Sequence, residues 1–199
     1  MRNAQLLDWV RKNTAALIAA AIAFVLIIAG TIVWIEKNKS ERNAAATMYF
    51  QALSVVKDSD KQQLLNALIS RHFGTAYTAL AEMQLAHLDE AHATKHLQAV
   101  IDNPKSMPEW VWQARLDLAG ILIDQGKAGE AAPVLQHSVG PAYAQLRQYL
   151  LAKASGDAAE KISHLKKAQA AQSFDQNLAR RIDSELQALE AKQHPATAG

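Results

Sequence analysis

The chain has 199 residues, with 21 Lys and Arg against 19 Asp and Glu, and its formal net charge is +2. It contains no cysteine, which excludes disulfide bonds and thiol chemistry. Residues 1–42 hold six of the basic and three of the acidic side chains, so the remainder carries 15 against 16 and lacks the basic excess that binding to nucleic acid requires.

A long uncharged run dominates the N-terminal part of the chain. Residues 14–35 are 22 consecutive residues without a charge. As a helix they would be roughly 33 Å long, enough to cross a hydrocarbon core of about 30 Å. Trp9 and Trp34 fall near the two ends, where amphipathic rings favour the headgroup level. A cleaved signal peptide is the alternative, but its apolar region is usually only about 7–15 residues long. We therefore expect an uncleaved transmembrane anchor.

The charges that flank this run do not decide its orientation. Three Lys or Arg lie in residues 1–13 and three in residues 36–42. Counting positive charges therefore barely separates the two topologies. A short cytoplasmic tail with the large domain translocated is the simpler topology to make, and we expect it here.

The anchor also carries a stripe of small residues. Ala15, Ala19 and Ala23 recur at every fourth position, which would let a second transmembrane helix approach closely. The alternative is that alanine is common filler in a single anchor. The stripe predicts docking of this helix to another membrane protein.

Residues 43–199 read as helix throughout. Alanine, leucine, glutamine and lysine dominate, and runs of β-branched residues are missing. Capping-box patterns mark starts, and Gly and Pro mark ends. The four capping boxes are Asp60-x-x-Gln63, Ser106-x-x-Glu109, Asp157-x-x-Glu160 and Ser173-x-x-Gln176. The predicted helices are 40–57, 61–71, 74–87, 89–102, 107–125, 128–138, 142–154, 157–171 and 173–192.

A pattern of large and small residues repeats along these helices. It is clearest in Leu118-Ala119, Leu122, Gly126, Ala131 and Leu135, where small residues would let two antiparallel helices pack closely around a glycine turn. The same frame occurs 38 residues upstream, from Leu80-Ala81 to Val100, and 30 residues downstream, from Gln148-Tyr149 to Ala168. The pattern resembles the tetratricopeptide repeat, whose period is about 34 residues. Gln84 and Lys161 break it, so the copies are degenerate.

The predicted fold is all-α: a single N-terminal transmembrane helix followed by a short, degenerate tetratricopeptide-repeat-like solenoid. A final helix with apolar residues on one stripe would cap the last repeat. That stripe consists of Phe174, Leu178, Ile182, Leu186 and Leu189. The predicted organisation is a cytoplasmic tail at 1–13, the anchor at 14–35, juxtamembrane helices at 36–72, repeats at 73–172, the capping helix at 173–192 and a flexible tail at 193–199.

Several short motifs follow one another around the anchor. They are Gln5-x-x-Asp8-Trp9-x-x-Lys12-Asn13, Tyr77-x-x-Leu80-Ala81, Ala114-Arg-Leu-x-Leu-Ala119 with Gly126-Lys127, Leu146-Arg147 with Gly156-Asp157, and Arg181-Ile-Asp-x-x-Leu186. In this order they resemble the YfgM-type ancillary subunit of the SecYEG translocon. The resemblance implies a single-pass protein of the bacterial inner membrane with a periplasmic C-terminal domain. It also implies association with the SecYEG translocon and the periplasmic chaperone PpiD, and a role in passing secreted client proteins onward.

An enzyme is the less favoured interpretation, and its best candidate is a metal site. His92 and His96 are spaced to share a zinc ion on one helix, but the segment lacks the Glu of the zinc-peptidase helix. Both histidines precede packing positions of the repeat, so we expect them near the solvent edge. No phosphate-binding loop or nucleophile elbow occurs. We predict no catalytic residue, no metal and no cofactor, with a metal-dependent hydrolase as an alternative.

Binding of other proteins is the predicted activity, because the first helix of each pair lines the concave side of such a solenoid. An exposed apolar groove there would suit an apolar segment or a partner helix. The alternative is that the chain's own helix at 40–57 or 61–71 fills it. An adaptor for another envelope assembly, in cytochrome maturation or a pilus system, is a second function for the same fold. The predicted groove residues are Thr75, Thr78, Glu82, Leu85, Gln113, Leu116, Ile123, Tyr143, Leu146 and Leu150.

Overall fold

The computed structural model describes residues 13–172 and 174–193, without the side chains of residues 15–18 and 193. The chain divides into two compact units, with the boundary between Ala44 and Ala45. All regular secondary structure in the described ranges is helical. The predicted all-α class is therefore confirmed. The predicted tails at 1–13 and 193–199 lie almost wholly outside the described residues.

The first helix, α1, spans Thr14–Ser54. Its apolar part is exposed, with Phe24 and Trp34 among the open side chains. Within the described residues, Ala19–Ser54 is the one helix long and apolar enough to cross a membrane, and a signal sequence near the N-terminus meets the same criteria. The prediction of a separate helix at 40–57 is wrong. Residues 36–39 contain no Gly or Pro, so nothing there stops the helix.

Eight further helices follow in the described residues. A 3₁₀ turn at Glu90–His92 precedes α4, and another at Pro141–Tyr143 precedes α7. The sixth helix ends at Leu135, earlier than the predicted 138, and it contains Pro133. The helices are α2 (Asp58–Arg71), α3 (Ala76–Leu88), α4 (Ala93–Asp102), α5 (Pro108–Asp124), α6 (Ala128–Leu135), α7 (Ala144–Ala154), α8 (Ala158–Ala170) and α9 (Gln176–Gln193).

Some of the predicted helix ends are built as expected and some are not. Asp157 caps α8 by accepting a hydrogen bond of 2.8 Å from the Glu160 N–H. After α5 the chain turns at Gly126, whose φ of +75° suits a residue without Cβ. There the Lys127 N–H donates to Leu122 O at 2.8 Å, the long bond of a Schellman motif.

The predicted caps Asp60 and Ser106 are wrong, because other residues take the N-cap position of these helices. Lys57 precedes α2 and Met107 precedes α5, and neither side chain makes a capping bond. The hydroxyl of Ser106 instead donates to Val100 O at 2.7 Å and so ties the loop to α4. At the start of α9 the carboxylate of Asp175 caps the helix, and Ser173 lies outside the described residues.

The second unit is a stack of antiparallel helix pairs. The pairs are α3 with α4, α5 with α6 and α7 with α8; α4 then packs on α5, α6 on α7 and α9 on α8. The alanines of the repeat frame are buried, and the large residues beside them form the core. The predicted repeat-like solenoid is therefore confirmed. The buried frame residues are Ala81, Ala93, Leu97, Val100, Leu118, Ala119, Leu122, Ala131, Leu135, Tyr149, Ala152, Leu165 and Ala168.

The N-terminal side of the first repeat is covered by the chain itself. Helix α2 packs against α3. Tyr49 and Ala52, from the last turns of α1, are buried in one cluster with Leu65 and Leu68 of α2 and Leu85 of α3. This segment therefore supplies apolar cover to the first repeat, as a preceding helix pair would.

Ala131→Leu should destabilise this unit by about 1–3 kcal/mol, because Ala131 has no exposed surface where α6 packs on α5 and a larger side chain would overpack the crossing. Thermal unfolding followed by circular dichroism measures the change. Ala188→Leu, at an exposed position of α9, is the matched control. Equal melting temperatures for the two variants would contradict the repeat packing.

Candidate functional site

A groove of about 570 Å³ opens on the side of the solenoid formed by α5, α7 and α9. We call it the α5–α7–α9 groove. Helix α7 supplies most of its floor, α5 supplies one wall, and the first turns of α9 with the residues just before them supply the other. Its lining residues are Gly120, Ile123, Asp124, Ala142, Tyr143, Gln145, Leu146, Tyr149, Leu150, Lys153, Phe174, Asp175, Asn177, Leu178 and Arg181.

Buried polar contacts hold the floor in place. The Gln145 Nε2 donates to Ala168 O at 3.3 Å, which joins α7 to the end of α8. The Tyr149 hydroxyl donates to Glu185 Oε1 on α9 at 2.8 Å. Burial raises the pKa of Tyr149, and the bond to Glu185 and that group's charge raise it further. The hydroxyl therefore stays protonated and keeps donating at neutral pH.

The mouth of the groove is apolar and open. Phe174 lies on the α9 wall with 66% of its surface exposed, although phenylalanine is usually buried. Tyr143 lies on the floor and packs edge-on against Trp112, with ring centroids 6.2 Å apart. Trp112 in turn fills the space where a Cβ on Gly140 would stand, 2.9 Å from Cε3 of the indole. Only glycine at 140 leaves room for this aromatic support.

Four of the predicted groove residues come together at this site. Ile123 lies on α5, Tyr143 in the turn before α7, and Leu146 and Leu150 on α7, and all four are half-buried. Their use in binding a partner stays a prediction. Their position on the first helices of successive pairs is the arrangement that the repeat frame predicts.

Three other predicted groove residues are not exposed, and that expectation is corrected. Leu116 is 2% exposed and lies in the central cluster between helix pairs. Leu85 is 1% exposed because the end of α1 and helix α2 cover it. At this position the alternative holds in which the chain's own helices fill the groove. Thr78 is 3% exposed, and its hydroxyl donates to His72 O at 2.6 Å. A charge at Leu116 would therefore break the core rather than alter a binding surface.

The remaining predicted residues make local contacts outside the α5–α7–α9 groove. Thr75 caps α3 by accepting from the Thr78 N–H at 3.2 Å. Gln113 donates to Asp117 on its own helix. Glu82 accepts from His96, as described below. None of these three lines the groove.

Sequence reasoning missed the contribution of α9. The last helix is predicted only as a cap, whereas its first turns, through Leu178 and Arg181, and Phe174 just before them also form a groove wall. The sequence does contain a signal for this third wall, because aromatic residues recur 31 residues apart at Trp112, Tyr143 and Phe174. A helix that follows the second helix of a pair occupies the position of the next first helix, and it therefore faces the same side.

The two histidines of the metal hypothesis lie in different surroundings. His92 is exposed in the turn before α4, and its Nδ1 lies 3.0 Å from Asp89 Oδ2. That hydrogen bond lowers the pKa of Asp89. His96 was expected at the solvent edge, but its side chain is only 13% exposed and its Nδ1–H donates to Glu82 Oε2 at 2.6 Å. The contact joins α4 to α3. Among the described residues no group of three His, Asp or Glu is arranged to hold a metal ion.

The anchor residues named for membrane docking all lie in α1. Ala19 and Ala23 are exposed, and the side chain of Ala15 is outside the described set. Exposure of an alanine stripe is compatible with docking of another membrane helix. The docking itself stays a prediction.

The tetratricopeptide repeat-like domain family matches residues 8–194. The chain belongs to this family. Comparison with the curated proteins gave no match, and comparison with the solved structures gave none. The family assignment covers α1 as well as the repeat unit. Domains of this kind act in general as non-catalytic protein-interaction modules, which makes protein binding the function class of this fold.

The half-buried carboxylate of Asp117 makes the stability of the repeat unit depend on pH. Asp117 on α5 is half-buried and accepts a hydrogen bond of 2.7 Å from Gln113 Nε2. Burial raises the pKa of Asp117 above its ordinary value of 3.8, and the Gln113 bond only partly opposes this. The folded chain therefore binds this proton more tightly than the unfolded chain does. Its contribution to stability is fully present below pH 3.8 and is lost as the pH rises through the folded pKa.

Asp117→Asn should therefore raise the melting temperature at pH 7, and the gain should shrink towards pH 4. The amide oxygen of Asn still accepts from Gln113, so the variant removes the charge and keeps the bond. Asp183→Asn is the matched control, because Asp183 accepts a similar bond from Gln169 at 2.8 Å in an exposed position. Thermal unfolding at the two pH values measures both variants. A gain in melting temperature for Asp117→Asn that is the same at pH 4 and pH 7 would contradict the raised pKa of Asp117.

Proposed function

We propose that this chain is a single-pass membrane protein whose repeat unit holds partner proteins in the α5–α7–α9 groove. The observation that carries the proposal is an open groove, lined in part by apolar side chains and formed by three helices of an interaction fold. Exposed apolar surface of this kind marks sites of protein contact in soluble domains. The solvent-exposed ring of Phe174 is the clearest such feature.

The anchor is proposed to be the apolar part of α1, residues 14–35. Its support is the exposure of large apolar side chains along a helix of sufficient length. Such surface is favourable in a bilayer and unfavourable in water. We place residues 1–13 in the cytoplasm and the repeat unit in the periplasm of a bacterial inner membrane. Residues 36–72 then follow the membrane directly.

We further propose that the partners belong to the secretion route. The resemblance to the YfgM-type subunit names the SecYEG translocon and the chaperone PpiD, with secreted proteins as clients. The protein would act by holding these partners close to the membrane, without chemistry of its own. Ala15, Ala19 and Ala23 would meet a membrane partner, and the α5–α7–α9 groove would meet a soluble one.

The two contacts should be separable. Phe174→Ala should weaken capture of soluble PpiD domain by the full chain in detergent, because it removes an exposed apolar contact and leaves the core intact. Phe73→Ala is the matched control, since Phe73 is 87% exposed and lies outside the groove. Ala19→Ile with Ala23→Ile should instead reduce co-purification of SecYEG and leave PpiD capture unchanged. If Phe174→Ala and Phe73→Ala behave alike, the groove assignment is wrong.

Topology provides an independent test. A reporter enzyme that is active only outside the cytoplasm should be active when fused after Gly199. The same reporter fused before residue 1 should be inactive, because that end is placed in the cytoplasm. The opposite pattern would overturn the localisation and, with it, the secretion-route proposal.

A further inference from the structure

The turns of the repeat unit lie at two opposite ends, because successive helices pack side by side and are joined by short connections. Helix α1 enters the unit at Ala45. Tyr49, one turn further on, packs on Tyr77 in the first turn of α3, with ring centroids 5.9 Å apart. Helix α2 runs the other way, since Gln62 near its start donates to Leu88 O at the end of α3. The entry end, where the chain enters, therefore carries the turns before α3, α5, α7 and α9, and the far end carries those before α2, α4, α6 and α8.

Large apolar side chains are exposed in neighbouring positions at the entry end. Phe73, in the turn before α3, is 87% exposed, and Met107, in the turn before α5, is also exposed. These two turns are joined, because Asn103 Nδ2 donates to Thr75 O at 3.0 Å. Phe50 of α1 is exposed at the same end. Single exposed apolar residues are common on soluble domains, but several on adjacent elements mark a contact surface. We call Phe50, Phe73 and Met107 the entry-end patch.

The far end has the opposite character. Each of its four turns carries two carboxylates, in the turn or in the helical residues beside it, as Asp89 and Glu90 do before α4. The turns before α3 and α7, at the entry end, carry none. Val56 is the one large apolar side chain exposed at the far end of the described unit. Taking carboxylates out of water is costly, so of the two ends only the entry end is suited to an apolar contact.

The position of this end in the chain selects a lipid surface as the occupant. Residues 14–35, which the proposed function places in the membrane, are separated from Ala45 only by residues 36–44. A link of this length reaches roughly 30 Å even when it is fully extended. A bilayer that holds residues 14–35 would therefore stay within reach of the entry end, whereas a soluble partner has to arrive by diffusion.

The charges near the patch suit the headgroup region and do not drive the contact. Arg71 and Lys105 are exposed beside the patch, and long basic side chains of this kind can extend towards lipid phosphates. Asp102 and Glu109, close to Lys105 in sequence, offset them. The contact therefore depends on the apolar side chains, and a zwitterionic lipid is sufficient to test it.

We infer that the entry end of the repeat unit rests on the lipid surface through the entry-end patch, with Phe73 and Met107 inserted among the headgroups. This inference rests on the proposed membrane anchor and adds a second, separate contact with the bilayer. Apolar and aromatic side chains beside basic ones are favourable at this level of a membrane. Phe174 also lies at the entry end, but it lines the α5–α7–α9 groove and takes no part in the contact.

The test uses the full chain in phosphatidylcholine nanodiscs, with one chain in each disc so that no second copy can cover the patch. The sequence contains no cysteine, so each variant carries one fluorophore at a chosen position. Lys105→Cys reports on the entry end, and Lys127→Cys, at an exposed lysine in a far-end turn, is the matched control. Phosphatidylcholine with a nitroxide on its headgroup should remove most of the emission at 105 and little of the emission at 127. Ile35→Cys, at the end of the uncharged run, checks the anchor.

Variants of the patch separate insertion from mere closeness to the membrane. In the Lys105→Cys chain, Phe73→Ser with Met107→Ser should relieve most of the quenching, because it removes the apolar contact without adding a charge. Serine is favourable at 107, the N-cap position of α5. Val56→Ser, at a side chain that is 95% exposed at the far end, is the matched control and should leave the quenching unchanged. Circular dichroism checks folding, and Phe73→Ser alone decides if the double variant is unfolded.

The outcomes separate this inference from the proposed function. Equal quenching at 105 and 127 overturns the inference, and so does quenching at 105 that persists in Phe73→Ser with Met107→Ser. A label at 105 that is shielded only in discs holding two chains assigns the patch to a second copy and also overturns it. In each of these cases, quenching at 35 leaves the proposed anchor standing. Absence of quenching at 35 contradicts the anchor, and the proposed function and the inference then fail together.

Discussion

Close contact at buried alanines is the constraint on which the repeat unit depends. Ala81, Ala119, Ala131, Ala152 and Ala168 all have no exposed surface, and each lies where one helix packs on another. A methyl group buries little area of its own, so its direct contribution is small. Its effect is to let two helices approach closely enough for the large side chains beside it to meet. Leu97, Leu118, Leu135 and Leu165 then form the core at the density of a protein interior.

The ends of the helix stack must be covered by other elements, and this determines where a binding surface can remain exposed. Each helix pair buries its two sides against neighbouring pairs, so an end of the stack needs another element to cover it. At the first repeat this element is the end of α1 together with α2, and Leu85 is buried there as a result. At the last repeat it is α9, which buries Ile182 and Leu186 against α8 but leaves Phe174, just before its first turn, exposed. The groove is therefore a consequence of a cap that covers the core of the last pair without closing the side shared by α5 and α7.

The fold followed from the sequence because its signals are local and repeated. The alanine frame, Gly126 and the uncharged run each report on their own surroundings, and each has the structural consequence expected of it. The exposure of single residues depends instead on which distant segments pack nearby. Leu116 and Leu146 share a position on the first helices of successive pairs, yet Leu116 is core and Leu146 lines the groove. Periodicity assigns a residue to a face of its helix, and only the packing of the whole stack shows whether that face is covered. The contact of His96 with Glu82 was missed for the same reason.

The exposed apolar helix α1 and the α5–α7–α9 groove belong to one chain, and this would affect how well the groove is occupied by a partner. A cleft that buries only a few side chains of a partner would give a weak complex, because the entropic cost of association offsets much of the contact energy. Under the proposed function, a partner domain that is also kept at the membrane would meet the groove at an effective concentration on the order of millimolar. Weak contacts then suffice for occupancy and still dissociate quickly. A solenoid also transmits little between its ends, since each pair contacts only its neighbours. Under the proposed function, release of a partner would therefore be governed by the groove itself, and the anchor would set how often the partner is met.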